Sequence, residues 1–200
     1  MSSVTLIDMN CGNIASVEFA LDRLGVHHVR TQSVEGIASA ERLILPGVGT
    51  AGFAMSQLHR LDLVTALKTA RQPIMGICLG MQLLFEDSEE GHTPCLGLLE
   101  GKVARLSGSA QLPVPHMGWS TLDICQPDNR LVATVQARSF AYFVHSYACP
   151  VSEATVASVD YGRACAAIVQ SRNVYGCQFH PERSSSVGAQ ILENFMSVPC

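Results

Sequence analysis

Residues 76–86 read GICLGMQLLFE, and they mark the point where an apolar run passes into a helical pattern. The run begins at Pro73 and ends at Cys78, and apolar residues then follow at helical spacing as far as Phe85. A Gly-x-Cys-x-Gly pattern has the form of a nucleophile elbow, a tight turn that exposes its central side chain above a sheet. There the first turn of the helix would favour a thiolate. From this pattern alone, Cys78 is either a nucleophile or a small apolar side chain buried between strand and helix.

The first half of the chain alternates between apolar runs and helical patterns. Runs at 4–8, 26–29, 42–45 and 73–78 predict strands, and helical spacing at 14–24 and 58–71 predicts helices between them. This βαβ rhythm predicts a mainly parallel sheet with helices on both faces.

From residue 97 onwards the rhythm changes. Short apolar runs at 103–106, 119–122 and 142–144 have no long helices between them, and a hairpin is predicted over 164–179 before a helix at 187–195. These runs predict an antiparallel extension of the sheet. The fold class is therefore α/β, in one domain that spans residues 1–200.

Composition excludes several classes of partner and cofactor. The net charge of −4, without a Lys/Arg cluster, argues against nucleic acid. No apolar stretch reaches the roughly 18 residues of a membrane span, and the N-terminus has neither the basic nor the long apolar region of a signal peptide. Eight scattered cysteines without a CxxC pair, and seven histidines without ligand spacing, argue against disulfides and zinc. We expect a cytoplasmic protein that uses no metal or other cofactor.

Two further segments carry polar or glycine-rich sequence at predicted strand ends, where ligands bind in α/β sheets. His180 and Glu182 follow an apolar run that Pro181 ends, so they can form a general base with an orienting carboxylate. A surface histidine beside a solvated glutamate is the alternative. The segment Pro46-Gly-Val-Gly49 can turn its peptide N–H groups toward an anion, or it is an ordinary loop.

Together these residues resemble a known family. The stretch Gly76-Ile-Cys-Leu-Gly-Met-Gln82, with a distant His180-Pro-Glu182, resembles the class I glutamine amidotransferases, and the resemblance covers essentially the whole chain. Four stretches are similar to those of the glutaminase subunits of imidazole glycerol phosphate synthase, namely 46–49, 115–119, 142–147 and 178–184.

The resemblance implies a flavodoxin-like sheet and hydrolysis of L-glutamine to glutamate and ammonia. The ammonia would pass to the cyclase subunit, a (β/α)₈ barrel, in a heterodimer. There it would serve to form imidazole glycerol phosphate and aminoimidazole carboxamide ribotide in histidine biosynthesis.

The resemblance also implies a role for each matching residue. Cys78 would form a γ-glutamyl thioester, His180 would take and return its proton, and Glu182 would hold the imidazole in the useful tautomer. The oxyanion hole would use the backbone N–H groups of Leu79 and of Val48 or Gly49. The residues that bind glutamine would be Gln82, Glu90, His145, Ser146 and Tyr147. Residues facing the cyclase would be Met117, Trp119, Tyr142 and Arg183, although Trp119 and Tyr142 could instead be core.

Two positions depart from the family pattern. Arg183 stands where the family more often has lysine, and the turn at 10–13 is an imperfect version of the family's Gly-rich first turn. Neither touches the predicted triad.

Three rival interpretations remain. A glutaminase subunit for anthranilate or pyridoxal phosphate synthesis is opposed by the stretches at 46–49 and 115–119. A cysteine peptidase or stress protein with a similar elbow would lack the late His180-Pro-Glu182. A catalytically silent regulatory subunit would have lost a triad member.

Overall fold

The computed structural model describes residues 3–11 and 13–199; Met1 and Ser2 of the N-terminal stretch and Gly12 of the predicted first turn lie outside these ranges. The strands are β1 Ser3–Ile7, β2 His27–Thr31, β3 Leu43–Gly47, β4 Ile74–Cys78, β5 Asp87–Ser88, β6 Thr93–Pro94, β7 Lys102–Arg105, β8 His116–Thr121, β9 Asp123–Ile124, β10 Phe140–His145, β11 Tyr147–Ala148, β12 Thr155–Asp160, β13 Ala164–Ser171 and β14 Val174–Cys177. The helices are α1 Ile14–Arg23, α2 Val34–Ala38, α3 Ala51–Arg60, α4 Leu63–Thr69, α5 Leu79–Leu83 and α6 Ser185–Met196.

An eight-stranded sheet forms the centre of the fold, in the order β2-β1-β3-β4-β14-β13-β12-β9. The first five strands are parallel neighbours and the last three extend the sheet by antiparallel pairing. The predicted fold class, a mainly parallel α/β sheet with an antiparallel extension, is therefore confirmed.

The strands that form the extension differ from those that the sequence predicted. The runs at 103–106, 119–122 and 142–144 correspond to β7, β8 and β10, which belong to two small separate sheets. Strands β8 and β10 pair over six residues and form one of these sheets by themselves. The extension comes instead from β13, β12 and β9, of which β12 and β9 were not predicted.

Apolar side chains alternate between the two faces of the sheet, as they must in strands that are buried on both sides. On β1, Leu6 belongs to one apolar core and Ile7 to the other, and on β3 the same alternation separates Ile44 from Leu45. Helices α1 and α6 cover the first face, and α2 to α5 cover the second. Helices on both faces, as predicted, thus bury the parallel strands β1, β3, β4 and β14, whereas the edge strand β2 is largely exposed.

Local backbone geometry sets helix boundaries that periodicity did not predict. The predicted helix at 58–71 is divided into α3 and α4, because Asp62 adopts a left-handed conformation (φ 58°) between them. Helix α3 starts earlier than predicted, at Ala51, where the Thr50 side chain accepts a hydrogen bond from the Phe53 N–H. Helix α5 ends at Leu83 rather than reaching Phe85.

Within the described ranges, none of the helices is long and apolar enough to span a bilayer. The seven cysteines in the same ranges are free thiols, and five of them are buried. Each of these five belongs to one of the two apolar cores. Most of the thiols thus serve as small apolar groups.

Candidate active site

Cys78 stands at a sharp strand-to-helix turn, between the end of β4 and the start of α5. Its backbone is at φ 53°, ψ −110°, a strained conformation for a residue with a side chain. A Cβ on Gly80 would lie 1.7 Å from the carbonyl oxygen of Leu45, and one on Gly76 would lie 2.5 Å from that of Gly80. The two glycines therefore let α5 lie directly against the backbone of β3 and β4. The elbow geometry that the Gly-x-Cys-x-Gly spacing predicted is present. A helix of five residues adds only a weak dipole to it.

The end of β14 lies beside the end of β4, because the two strands are parallel and Cys177 pairs in register with Ile77. Gln178 continues past this pair and is fully buried. Its Oε1 accepts a hydrogen bond from Gln82 Nε2 at 3.0 Å, and its Nε2 is 3.8 Å from Cys78 Sγ. Sequence reasoning did not assign Gln178 to the site. The signal was a polar residue between two apolar ones at a strand end.

His180 and Glu182 form a buried pair in the short 3₁₀ turn that follows β14. Their Nδ1 and Oε1 atoms are 2.8 Å apart, and the two side chains are only 7% and 3% exposed. The His180 backbone is held on both sides, since its N–H donates to the Tyr142 carbonyl and the Ser184 hydroxyl donates to the His180 carbonyl. The predicted base and its orienting carboxylate are thus brought together, and the surface alternative for this pair is wrong.

Electrostatics favour a protonated His180. Burial by itself would lower the pKa of this imidazole, but the neighbouring Cys78 sulfur, when ionised, and the Glu182 carboxylate together raise the pKa to about 10. His180 Nε2 is buried and has no hydrogen-bond partner among the described residues, so the hydrogen bond to Cys78 is not closed. We therefore assign the upward shift with most weight to Glu182, whose contact is formed. The arrangement suits an imidazolium next to the Cys78 sulfur.

A cavity of about 330 Å³ opens above Cys78. It is lined by Val48, Gly49, Cys78, Leu79, Gln82, Glu90, Pro115, Val144, His145, Ser146, Tyr147 and His180. All the predicted catalytic, oxyanion-hole and glutamine-binding residues except Glu182 therefore meet in one space, and Glu182 contacts it through His180. No cluster of three or more potential metal-ligating side chains occurs within residues 3–11 and 13–199.

The polar groups of this cavity are already oriented by hydrogen bonds. Glu90 Oε2 accepts from the Ala51 N–H at 2.7 Å, at the start of α3. Gln82 Nε2 donates to the Tyr147 carbonyl at 2.8 Å. His145 uses Nδ1 toward the same carbonyl and Nε2 toward His116, so neither of its ring nitrogens is left for a ligand. His116 and the lining residues Pro115 and Val144 were not assigned to the site from the sequence.

The residues predicted to face a partner lie on the antiparallel strands β8 and β10, and just after β14. Met117 is 63% exposed and Trp119 is 52% exposed, so the core alternative is wrong for Trp119. Its ring meets the half-buried Tyr142 edge-on, with centroids 5.8 Å apart. Arg183 is exposed and directly follows Glu182.

Comparison with known proteins gives consistent results. The family model for glutamine amidotransferase class-I matches residues 6–198. The imidazole glycerol phosphate synthase subunit HisH of Pasteurella multocida is 47% identical over 196 residues, covering 98% of each chain. The subunit HisH of Xylella fastidiosa is 49% identical over 198 residues, covering 99% of this chain and 98% of the relative.

Solved structures agree in fold. A crystal structure of glutamine amidotransferase superposes with a TM-score of 0.74 at 18% identity, covering 96% of each chain. The structure of PurLQS from Thermotoga maritima gives 0.73 at 18% identity, covering 98% of this chain and 97% of the other. At this level of identity the likeness shows the shared fold.

Proposed function

The chain belongs to the class I glutamine amidotransferase family, and from this premise we propose that it is the glutaminase subunit of an imidazole glycerol phosphate synthase. It hydrolyses L-glutamine to glutamate and ammonia and supplies the ammonia for histidine biosynthesis. The observation that carries the proposal is the cavity in which Cys78 and His180 meet, with Glu182 held 2.8 Å behind the imidazole.

The reaction follows from these positions. The Cys78 thiolate attacks the side-chain amide carbon of glutamine, and the tetrahedral intermediate collapses to a γ-glutamyl thioester as the His180 imidazolium gives its proton to the departing ammonia. His180 then takes a proton from water, which attacks the thioester and releases glutamate and the thiolate. Glu182 accepts a hydrogen bond from His180 Nδ1–H, so Nε2 is the nitrogen that donates the proton to ammonia and accepts the proton from water.

Backbone N–H groups stabilise the negative charge that develops on the amide oxygen. Leu79 offers the N–H that follows the nucleophile, and the segment of Val48 and Gly49 lies beside it because Gly47 pairs with Cys78 in the sheet. Gly49 has a positive φ of 99°, which allows its peptide to turn at little cost.

Substrate recognition uses other polar groups of the same cavity. Glu90 keeps one carboxylate oxygen outside its bond to Ala51 and suits the α-ammonium group of glutamine. The backbone around Ser146 and Tyr147 suits the α-carboxylate. The side chains of Gln82 and the buried Gln178 are hydrogen-bonded to each other beside Cys78.

The ammonia needs a protected route, because ammonia released into water is protonated. We propose that residues 1–200 act as one glutaminase domain in the cytoplasm and dock on a (β/α)₈-barrel cyclase subunit as a heterodimer. The docking face carries Met117, Trp119, Tyr142 and Arg183, and aromatic, methionine and arginine side chains are enriched at such interfaces. Trp119→Ala is expected to weaken association measured by calorimetry, whereas Val29→Ala on the outermost strand β2 leaves it unchanged.

A coupled assay tests the proposal. The protein is mixed with the cognate cyclase subunit and its nucleotide substrate, and glutamate release from glutamine is measured. Cys78→Ala is expected to lower glutamine-dependent turnover by about 10⁴-fold or more while cyclase activity with added ammonium salt survives. Cys125→Ala, which removes an exposed thiol that is not among the cavity residues, serves as the control. Absence of glutamate release by the wild-type pair would refute the assignment, and loss of both activities in Cys78→Ala would make Cys78 structural.

A further inference from the structure

Two buried histidines on paired strands form a hydrogen-bonded pair to which the proposed reaction assigns no step. His116 on β8 and His145 on β10 are direct cross-strand partners and are only 2% and 6% exposed. His116 Nδ1 lies 3.1 Å from His145 Nε2. The outer nitrogens are also engaged, His116 Nε2 with Ser120 Oγ at 2.8 Å and His145 Nδ1 with the Tyr147 carbonyl at 2.8 Å. A continuous chain therefore runs from Ser120 to the Tyr147 carbonyl.

The proton positions in this chain follow from its one obligatory acceptor. A carbonyl oxygen can only accept, so His145 carries its proton on Nδ1. Burial lowers the pKa of both histidines to about 4, so both are neutral at neutral pH and His145 Nε2 accepts. His116 must then donate from Nδ1 and accept at Nε2, where the Ser120 hydroxyl donates. The same tautomer of His145 is therefore favoured from both sides, by the Tyr147 carbonyl that accepts from Nδ1 and by the His116 donor that occupies Nε2.

The chain ends on a carbonyl that also orients the glutamine cavity. The Tyr147 carbonyl accepts from Gln82 Nε2 at 2.8 Å as well as from His145, which uses both of its lone pairs. The second N–H of Gln82 then points to Gln178 Oε1 at 3.0 Å, which turns the Gln178 N–H toward Cys78 Sγ. The directions of both side-chain amides beside the nucleophile thus depend on the Tyr147 carbonyl.

We propose that His116 is a positioning residue for glutamine binding, acting through the tautomer of His145 on the Tyr147 carbonyl. This inference rests on the proposed glutaminase function and deepens it. The His116 ring is held between Phe143 and Tyr161, with centroid distances of 4.8 Å and 4.0 Å and interplanar angles of 14° and 19°. Its plane is therefore fixed and its Nδ1 donor is preorganised. Strand β8 also carries the exposed Met117 and Trp119, so the same strand joins the outer surface to the substrate cavity.

The test compares three variants in the complex with the cyclase subunit. His116→Phe keeps an aromatic ring in the stack and removes both nitrogens, so KM for glutamine is expected to rise about five- to tenfold, with kcat within about twofold of wild type. His116→Asn returns an N–H donor close to the position of Nδ1 and is expected to recover most of the wild-type KM. Cys125→Ala removes an exposed thiol that is not among the cavity residues, so it leaves KM unchanged. A purely structural role would lower the active fraction, and hence kcat, equally in the two His116 variants.

Imidazole ¹⁵N NMR provides a readout that needs no turnover. In the wild type, His145 is expected to be protonated at Nδ1 and bare at Nε2. His116→Phe removes the donor to Nε2 and is expected to let a measurable fraction of His145 carry its proton on Nε2 instead. Protonation of His145 at Nε2 in the wild type would overturn the proposal. An unchanged KM in His116→Phe, or equal defects in His116→Phe and His116→Asn, would overturn it as well. If the wild-type complex released no glutamate, the proposed function would fail, and the NMR spectrum alone would decide the role of His116.

Discussion

Gly80→Ala is the substitution for which the structure predicts the largest effect from a single methyl group. The added Cβ would lie 1.7 Å from the Leu45 carbonyl oxygen and 2.8 Å from its carbon, whereas real Cβ contacts are essentially never shorter than 3.0 Å. Both neighbours are backbone atoms of the central strand β3, so neither can rotate away. Helix α5 must instead move away from β3 by more than 1 Å, and Cys78 and Leu79 move with it.

The effect of Gly80→Ala on the free energy of unfolding is the sum of two opposing contributions. Displacing packed backbone costs about 4 kcal/mol, and the better helix propensity of alanine returns about 1 kcal/mol. We therefore expect a net loss of about 3 kcal/mol, which for a chain of this size lowers Tm by about 6–12 °C. A shift of about 1 Å at the nucleophile also costs about 10²-fold in glutaminase activity. Thermal unfolding and the coupled assay measure the two effects separately.

Gly52→Ala is the matched control, since this glycine also lies in a helix and its added Cβ would meet only Thr93 Oγ1 at 3.4 Å, an ordinary contact. It should leave activity unchanged and raise stability by up to about 1 kcal/mol. If Gly80→Ala unfolded within about 1 kcal/mol of the wild type, the close approach of α5 to β3 would not be a constraint on the fold.

Two further substitutions test the surroundings of the base. Glu182→Gln should lower the pKa of His180 from about 10, as measured by NMR titration. Because that pKa is raised on folding, the charged imidazole stabilises the fold below about pH 6.5, and this contribution to the free energy of unfolding is lost as the pH rises through about 10. In urea unfolding, the stability of the variant should therefore depend much less on pH over this range. An unchanged pKa would contradict the role given to the carboxylate. Ser184→Ala removes a buried hydroxyl that donates to the His180 carbonyl and accepts from the Tyr142 N–H, so it should cost about 2–4 kcal/mol, whereas the exposed Ser186→Ala should stay within about 0.5 kcal/mol of wild type in the same unfolding experiment.

Local patterns were enough to predict the parts of the site that depend on a few neighbouring residues. The elbow at Cys78 depends on two glycines close to it in sequence. The pair formed by His180 and Glu182 depends on one short turn after β14. The prediction that these segments meet relied on a general rule, that functional groups gather at the carboxyl ends of parallel strands. The structure brings them into one cavity. The assigned roles, the cyclase-facing residues and the single domain stay predictions.

Features that depend on the register of distant strands could not be read from the sequence. The contact between His116 and His145 requires β8 to pair with β10 in one register, and a slip of one residue would turn the two side chains to the other face. Likewise Gln178 becomes part of the site only when β14 lies next to β4. The break at Asp62 was missed for a local reason, since an aspartate in a left-handed conformation leaves the helical period almost intact.

The pairing of β4 with β14 also bears on how the protein is made. Cys78 is about 100 residues before Gln178 and His180, which lie at and just after the end of β14. During synthesis, Cys78 therefore leaves the ribosome well before its base exists, and N-terminal segments emerge and fold first. Any truncated product that ends before β14 holds a thiol without a partner to activate it. The order of the sheet thus makes the complete site depend on a chain that extends as far as Glu182.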